Sequence, residues 1–308
     1  MRMYRYRTMH KNRNGIRFTG FNILLLILFL LVFVNCFLLR QLSTQLLLRR
    51  TMQQGINYDE FREMKLPENI LEQLEPHVEK LMKKIPGSKQ GEDTLPLTYL
   101  TFSMFVNSFD LINGKLAEED LFLAGISKIG PTSGFLRLRN YYKAVLGDIK
   151  YFPVPRIEGD TQDISYGDTW SDLRSYGGNR RHEGTDIMAN NNIRGYYPVI
   201  SITEGVVEKM GWLEQGGYRI GIRSPSGGYF YYAHLDSYSG DLKKGDPVLA
   251  GQLLGFMGDS GYGKEGTTGQ FDVHLHLGIY VETSAGELSV NPYHVLKILE
   301  KNRLTCYE

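Results

Sequence analysis

No charged residue occurs between positions 21 and 39, FNILLLILFLLVFVNCFLL, and only Asn22, Asn35 and Cys36 dilute the apolar run. At about 1.5 Å of rise per residue a helix of this length just crosses a hydrocarbon core of about 30 Å. The run is apolar on every face, which predicts a transmembrane helix and not the core helix of a soluble domain. Six basic residues and no acidic one precede it (Arg2, Arg5, Arg7, Lys11, Arg13, Arg17). That excess predicts a cytoplasmic N-terminus, with the remainder across the membrane. The residues after the run, Leu38-Leu39-Arg40-Gln41, lack the small-residue pattern of a cleavage site. The segment therefore reads as a single-pass anchor and not as a removable signal.

Beyond the anchor the periodicity is helical. In residues 68–84 the positions Ile70, Leu71, Leu74, Val78, Leu81 and Met82 recur at helical spacing. Pro76 interrupts them, predicting a kink or two short helices, and Pro86-Gly87-Ser88 predicts a stop and turn. Three more helices are expected over 97–111, 118–123 and 135–146, the last two split by Gly130-Pro131. Residues 151–155, YFPVP, form an extended breaker and mark a boundary. After it glycine becomes frequent. Short β-branched and aromatic runs at 197–202, 205–209, 218–223, 229–234, 252–257 and 273–281 alternate with turn signals, the pattern of a β domain. A short helix at 293–301 closes it. The expected fold class is α+β, in four parts: a cytoplasmic basic tail (1–20), a transmembrane helix (21–39), an extracytoplasmic helical stalk or spacer (40–152) and a mostly antiparallel β domain (153–308).

Composition narrows the function. The 308 residues include 35 Lys+Arg, 34 Asp+Glu and 2 Cys. Cys36 lies in the membrane segment and Cys306 near the C-terminus, so neither a disulfide framework nor a Cys-rich zinc finger is available. Residues 151–308 carry 14 basic against 20 acidic residues, which argues against a nucleic-acid partner. Residues 41–150 hold no catalytic constellation. They are expected to space, pack or dock, and are the place for a protein partner.

The candidate chemistry lies in the histidines. Arg181-His-Glu-Gly-Thr-Asp186 is an H-x-x-x-D pattern of two metal-ligating residue types, and Gly184 favours a turn entering a strand there. In Val273-His-Leu-His276-Leu-Gly a strand would set His274 and His276 on one face and Val273, Leu275 and Leu277 on the other. A third histidine, His234, ends the aromatic run in Tyr232-Ala-His234-Leu. Each motif alone is common. Their combination in this order is not.

On these motifs residues 170–292 resemble the catalytic domain of the LytM/lysostaphin-type zinc metallopeptidases, the M23 peptidases. Glu204-Gly-Val-Val207, Gly217-Tyr-Arg-Ile-Gly221 and the run from Lys244 to Gly258 add to the likeness. The resemblance implies the duplicated-hybrid-motif type of β domain and one zinc ion. His182, Asp186 and His276 match the family's ligands, and His234 and His274 match its two non-ligand active-site histidines. It implies hydrolysis of peptide bonds of bacterial peptidoglycan, in the stem or the cross-bridge, by zinc-activated water. The protein would then be a peptidoglycan endopeptidase of the cell membrane. The alternative is a non-catalytic envelope protein that uses the same groove to bind peptidoglycan or to activate a partner. Position 186 is Asp, not the second His of an H-E-x-x-H site, so Glu183 is not expected to be a general base. The Gly-rich segment 258–269 lacks the Gly-Lys-Ser/Thr end of a phosphate loop and is expected to form a groove wall, as is 188–196. Tyr176 and Tyr232 are expected to line the groove.

Overall fold

The computed structural model describes residues 20–54, 56–84, 94–176 and 178–306. The basic tail up to residue 19 and the Pro86-Gly87-Ser88 turn lie outside them. The chain divides into two compact units, residues 1–50 and 51–308.

In the first unit, α1 (Gly20–Gln54) contains the uncharged segment and continues past it. Its stretch Gly20–Leu47 is long and apolar enough to cross a membrane, and the side chains from Phe21 to Leu39 are exposed. A membrane span and an N-terminal signal segment would share this form.

The second unit opens with α2 (Tyr58–Arg62), α3 (Ile70–Lys84), α4 (Leu95–Val106), α5 (Glu119–Ile129) and α6 (Ser133–Leu146). Asn57 caps α2 by accepting from the Asp59 and Glu60 amides, and Thr132 caps α6 by accepting from Phe135. α3 buries Ile70, Leu74, Val78 and Leu81, as its spacing predicts. It runs unbroken through Pro76, where two short helices were one expectation. Pro76 is exposed, so the backbone bond it forgoes falls on the solvent side. α4 buries every residue from Tyr99 to Met104 and forms the centre of the helical layer. Phe122 of α5 meets Tyr99 and Phe102 edge-on, each at 5.2 Å between centroids.

The strands follow in chain order: β1 (Arg156–Ile157), β2 (Ile164–Tyr166), β3 (Leu173–Arg174), β4 (Arg180–Arg181), β5 (Thr185–Ala189), β6 (Pro198–Ile200) and β7 (Gly205–Leu213). Then come β8 (Gly217–Arg223), β9 (Tyr229–Tyr238), β10 (Pro247–Val248), β11 (Leu253–Met257), β12 (His274–Thr283) and β13 (Gly286–Val290). α7 (Pro292–Leu299), capped by Asn291, and β14 (Thr305–Cys306) end the unit. One sheet of ten strands runs β10-β7-β8-β9-β12-β5-β2, with β13 on β12 and β11 bridging β6 and β9. All its pairings are antiparallel. β1 pairs in parallel with β14, and β3 with β4 in a small separate ribbon.

Helices and sheet are tied by specific bonds. Asp148 accepts from the Ser226 amide (2.7 Å) and hydroxyl (2.9 Å). Arg62 donates to the Ser289 carbonyl (2.9 Å) and hydroxyl (2.8 Å), and its own carbonyl accepts from the Asn291 amide. The alternation read at the H-x-H strand holds, since Val273, Leu275 and Leu277 are all buried in the apolar layer.

Candidate active site

Strand register builds the site. In the β5–β12 pairing Asp186 lies directly opposite His276, and His274 is two residues along on the same face. His182 precedes β5 by a turn at Gly184. A side chain on Gly184 would meet the His276 ring at 2.4 Å and the Leu277 carbonyl at 2.7 Å, so glycine is what lets the turn close over the imidazole. His234 sits in β9 with φ of +63°, where the backbone turns out of strand geometry and carries the ring to the groove.

Three atoms converge. His182 Nε2 is 3.1 Å from Asp186 Oδ1 and 2.9 Å from His276 Nδ1, and His276 Nδ1 is 3.0 Å from the same Oδ1. The three residues could hold a metal ion. Tetrahedral zinc, bonded at about 2.0–2.1 Å, sets its ligand atoms about 3.3 Å apart. The observed triangle needs to open by only a few tenths of an ångström, so the donor set fits zinc.

The surrounding bonds orient each donor. His182 Nδ1 lies 2.8 Å from the Thr169 carbonyl and 3.0 Å from Arg174 Nη2, which holds that edge of the ring against the protein and turns Nε2 to the cluster. Arg174 Nη2 donates to Asp186 Oδ2 at 2.6 Å, leaving Oδ1 to face the imidazoles. Burial alone would raise the Asp186 carboxyl. The hydrogen-bonded rings of His182 and His276 outweigh this and hold it below the ordinary carboxylate range.

His234 and His274 stand beside this cluster, their rings 4.7 Å apart. Each gives its Nδ1 proton to a backbone carbonyl: His234 to Ser260 (2.8 Å) and His274 to Asp272 (2.7 Å). Each therefore keeps an Nε2 lone pair. Burial, with the charges of His274 and His276, pushes His234 well below the ordinary imidazole value, so it is neutral near pH 7. Phe271 covers it at 4.6 Å between centroids, and Tyr262 stands 6.0 Å away.

The site opens into a groove of about 810 Å³. The structure brings together all five histidine and aspartate positions singled out in the sequence. Tyr262, from the Gly-rich segment, lines the groove as expected, and Tyr176 stacks on it at 4.0 Å. Three expectations change. Tyr176 meets Tyr262 but is not itself a lining residue of the groove. Tyr232 is fully buried and accepts from the Ile202 amide, and Tyr231 faces the groove in its place. Residues 188–196 do not line the groove. Asn192 instead braces the β12 approach, accepting from the Val273 amide (2.7 Å). Glu183 lines the groove with a half-exposed side chain, where it pairs with Arg62 at 3.5 Å. Arg174, Arg180, Arg219 and Phe271 are groove residues for which the sequence carried no signal.

The model of peptidase family M23 matches residues 180–292. A crystal structure of a LytM-type protein from Ruminococcus gnavus is 46% identical, over 80% of this chain and 93% of that one, with a TM-score of 0.64. The chain belongs to peptidase family M23. An L-Ala–D-Glu endopeptidase of Bacillus subtilis is 39% identical over 209 residues, 65% of this chain. The match spans 60% of the length of that relative. Lysostaphin of Staphylococcus simulans is 31% identical over 118 residues, 38% of this chain and 21% of its own. M23 peptidases are zinc-dependent, in keeping with the His-Asp-His cluster.

Proposed function

We propose that the protein is a membrane-anchored zinc endopeptidase that cleaves peptides of peptidoglycan. The observation that carries this is the convergence of His182, Asp186 and His276 on one point, with two further imidazoles beside it at the floor of an open groove. In this reading His182 Nε2, Asp186 Oδ1 and His276 Nδ1 hold the ion. Zinc bound there supplies Lewis acidity, which polarises a peptide carbonyl and makes water nucleophilic near neutral pH. His234 is the group that takes a proton from the attacking water. Its Nδ1 is committed to Ser260, its Nε2 is free, and burial keeps the ring neutral. His274, its Nδ1 held by Asp272, can accept a proton at Nε2 and in that protonated form donate to the developing oxyanion or to the leaving amine. Phe271 and Tyr262 wall off bulk water on the His234 side.

The names of the relatives offer two bonds, L-Ala–D-Glu of a stem peptide and Gly–Gly of a cross-bridge. Residues 153–308 are the peptidase domain in this reading, and 40–152 an extracytoplasmic helical spacer that also offers a surface to a protein partner. Residues 21–39 anchor the chain with its N-terminus in the cytoplasm. That topology is supported by the six preceding basic residues and the exposed apolar α1.

The test is to incubate the detergent-purified full chain with cell walls and identify released fragments by mass. Fragments should appear, and should vanish with a zinc chelator. Chelator-insensitive release, or none from any wall type, would overturn the proposal. Topology is tested separately by reporter fusions at Glu308, which should be active only outside the cytoplasm.

A further inference from the structure

The groove is lined by several cations, and most are already engaged. Arg174 bonds Asp186, Lys209 pairs with Glu287 at 3.2 Å, and Arg181 donates to the Ser171 carbonyl. Two differ. Arg180 Nε and Arg219 Nη1 are buried nitrogens that find no hydrogen-bond partner among the described residues. Both residues line the groove. Arg219 comes from β8 and Arg180 from the β3–β4 ribbon, so distant parts of the chain deliver them.

Tyr231 links them to the chemistry. Its ring stands 6.0 Å from that of His276. In the β8–β9 pairing Tyr231 lies opposite Gly221, two residues along β8 from Arg219 and on the same face, and Arg180 lines the same groove. Gly216 lets the Tyr231 hydroxyl pack against its backbone, in the place a Cβ would fill. A buried guanidinium nitrogen without an acceptor is unfavourable in the free protein, and a ligand that supplies the acceptor relieves it. The planar, forked donor set of arginine matches a carboxylate.

We propose that Arg180 and Arg219 form a carboxylate-binding subsite beside Tyr231, and that the peptide cleaved carries a free carboxylate on a residue adjoining the scissile bond. This rests on the endopeptidase reading and selects, from the two bonds above, the one flanked by an acidic residue. A glycine cross-bridge offers the pair no anion.

The experiment uses the zinc-loaded full chain in detergent and two synthetic stem peptides. In one the residue after L-Ala is D-Glu with a free carboxylate. In the other that carboxylate is an amide. Wild-type kcat/KM should favour the acid at least tenfold. Arg219→Gln and Arg180→Gln should each cut that preference fivefold or more, mainly through KM, and Arg219→Lys should restore part of it. Melting temperature and zinc content show that each variant is folded. Equal cleavage of acid and amide by the wild type, or an unchanged preference in both Gln variants, overturns the subsite. Affinity for both peptides, measured in parallel by calorimetry, separates the two layers. Carboxylate-selective binding without hydrolysis overturns the peptidase reading and supports the subsite. Hydrolysis without selectivity overturns the subsite alone, and neither selectivity nor hydrolysis overturns both.

Discussion

Single residues carry the site in two ways, by donating an atom or by leaving room for one. Gly184 does the second. Gly184→Ala would press a methyl group into the His276 ring and the Leu277 carbonyl. The expected cost is about 1–3 kcal/mol of stability, read by denaturant unfolding, with a parallel loss of zinc affinity. A donor behaves otherwise. Alanine at His182, Asp186 or His276 should abolish both zinc retention and wall hydrolysis. His234→Ala should keep the metal and lose about 10²–10⁴ in kcat, the usual scale of a general base. Metal analysis beside single-turnover kinetics tells the two patterns apart, and loss of zinc in His234→Ala would contradict its assignment as base. His182, Asp186, His274 and His276 were legible in the sequence because their spacing is short or their strand face is set by alternation, and His234 only through its combination with those motifs. Tyr231 and Tyr232 show where that logic stops. The bulge in the β8–β9 pairing and the positive φ of His234 break the parity by which a face is counted along β9. Arg180 and Arg219 left no trace either, since a long side chain's destination depends on which distant strand lies next to it.

At the level of elements, the helices and longer strands follow the hydrophobic pattern closely, because burial of one face fixes both. The two-residue strands β3, β4 and β10 do not, since a pairing that short has no period to detect. Between β7 and β8, Arg223 donates to Glu208 through Nε (2.5 Å) and Nη2 (3.0 Å). That bond, against a smaller opposing effect of burial, holds the Glu208 carboxyl below its ordinary value. A carboxyl depressed in the folded state adds stability above its unfolded pKa, about 4.3, and loses it as pH falls through the folded value. Denaturant midpoints of wild type and Glu208→Gln should therefore differ at pH 7 and draw together as pH falls below about 4.3. A gap that does not narrow at all in acid would show that the pair works through packing and not through charge. Both side chains are partly exposed, so the effect should be modest and weaken with salt.

On the scale of the whole molecule, residues 51–308 form one unit, and the helices are part of what the sheet rests on. Phe61, Phe102, Phe152 and Val154 are buried with the rest of the core. A fragment of residues 153–308 would lose the partners of Ser226 and Ser289. It should melt at least several degrees below residues 51–308, or fail to remain soluble; equal melting temperatures would show that the sheet stands alone. The sequence pointed to a boundary at residues 151–155 because composition changes there, but composition does not report which surfaces later meet.

The cross-strand register of Asp186 and His276 has a consequence in time. The cluster proposed to hold zinc joins side chains 90 and 94 positions apart, and a slip of one residue between β5 and β12 would turn Asp186 and His276 to opposite faces. A nascent chain that ends before His274 holds a histidine and a carboxylate and nothing to complete them. In the proposed function the cluster is complete only with the penultimate strand of the sheet, after most of the polypeptide has emerged, so an unfinished copy would be unable to cut.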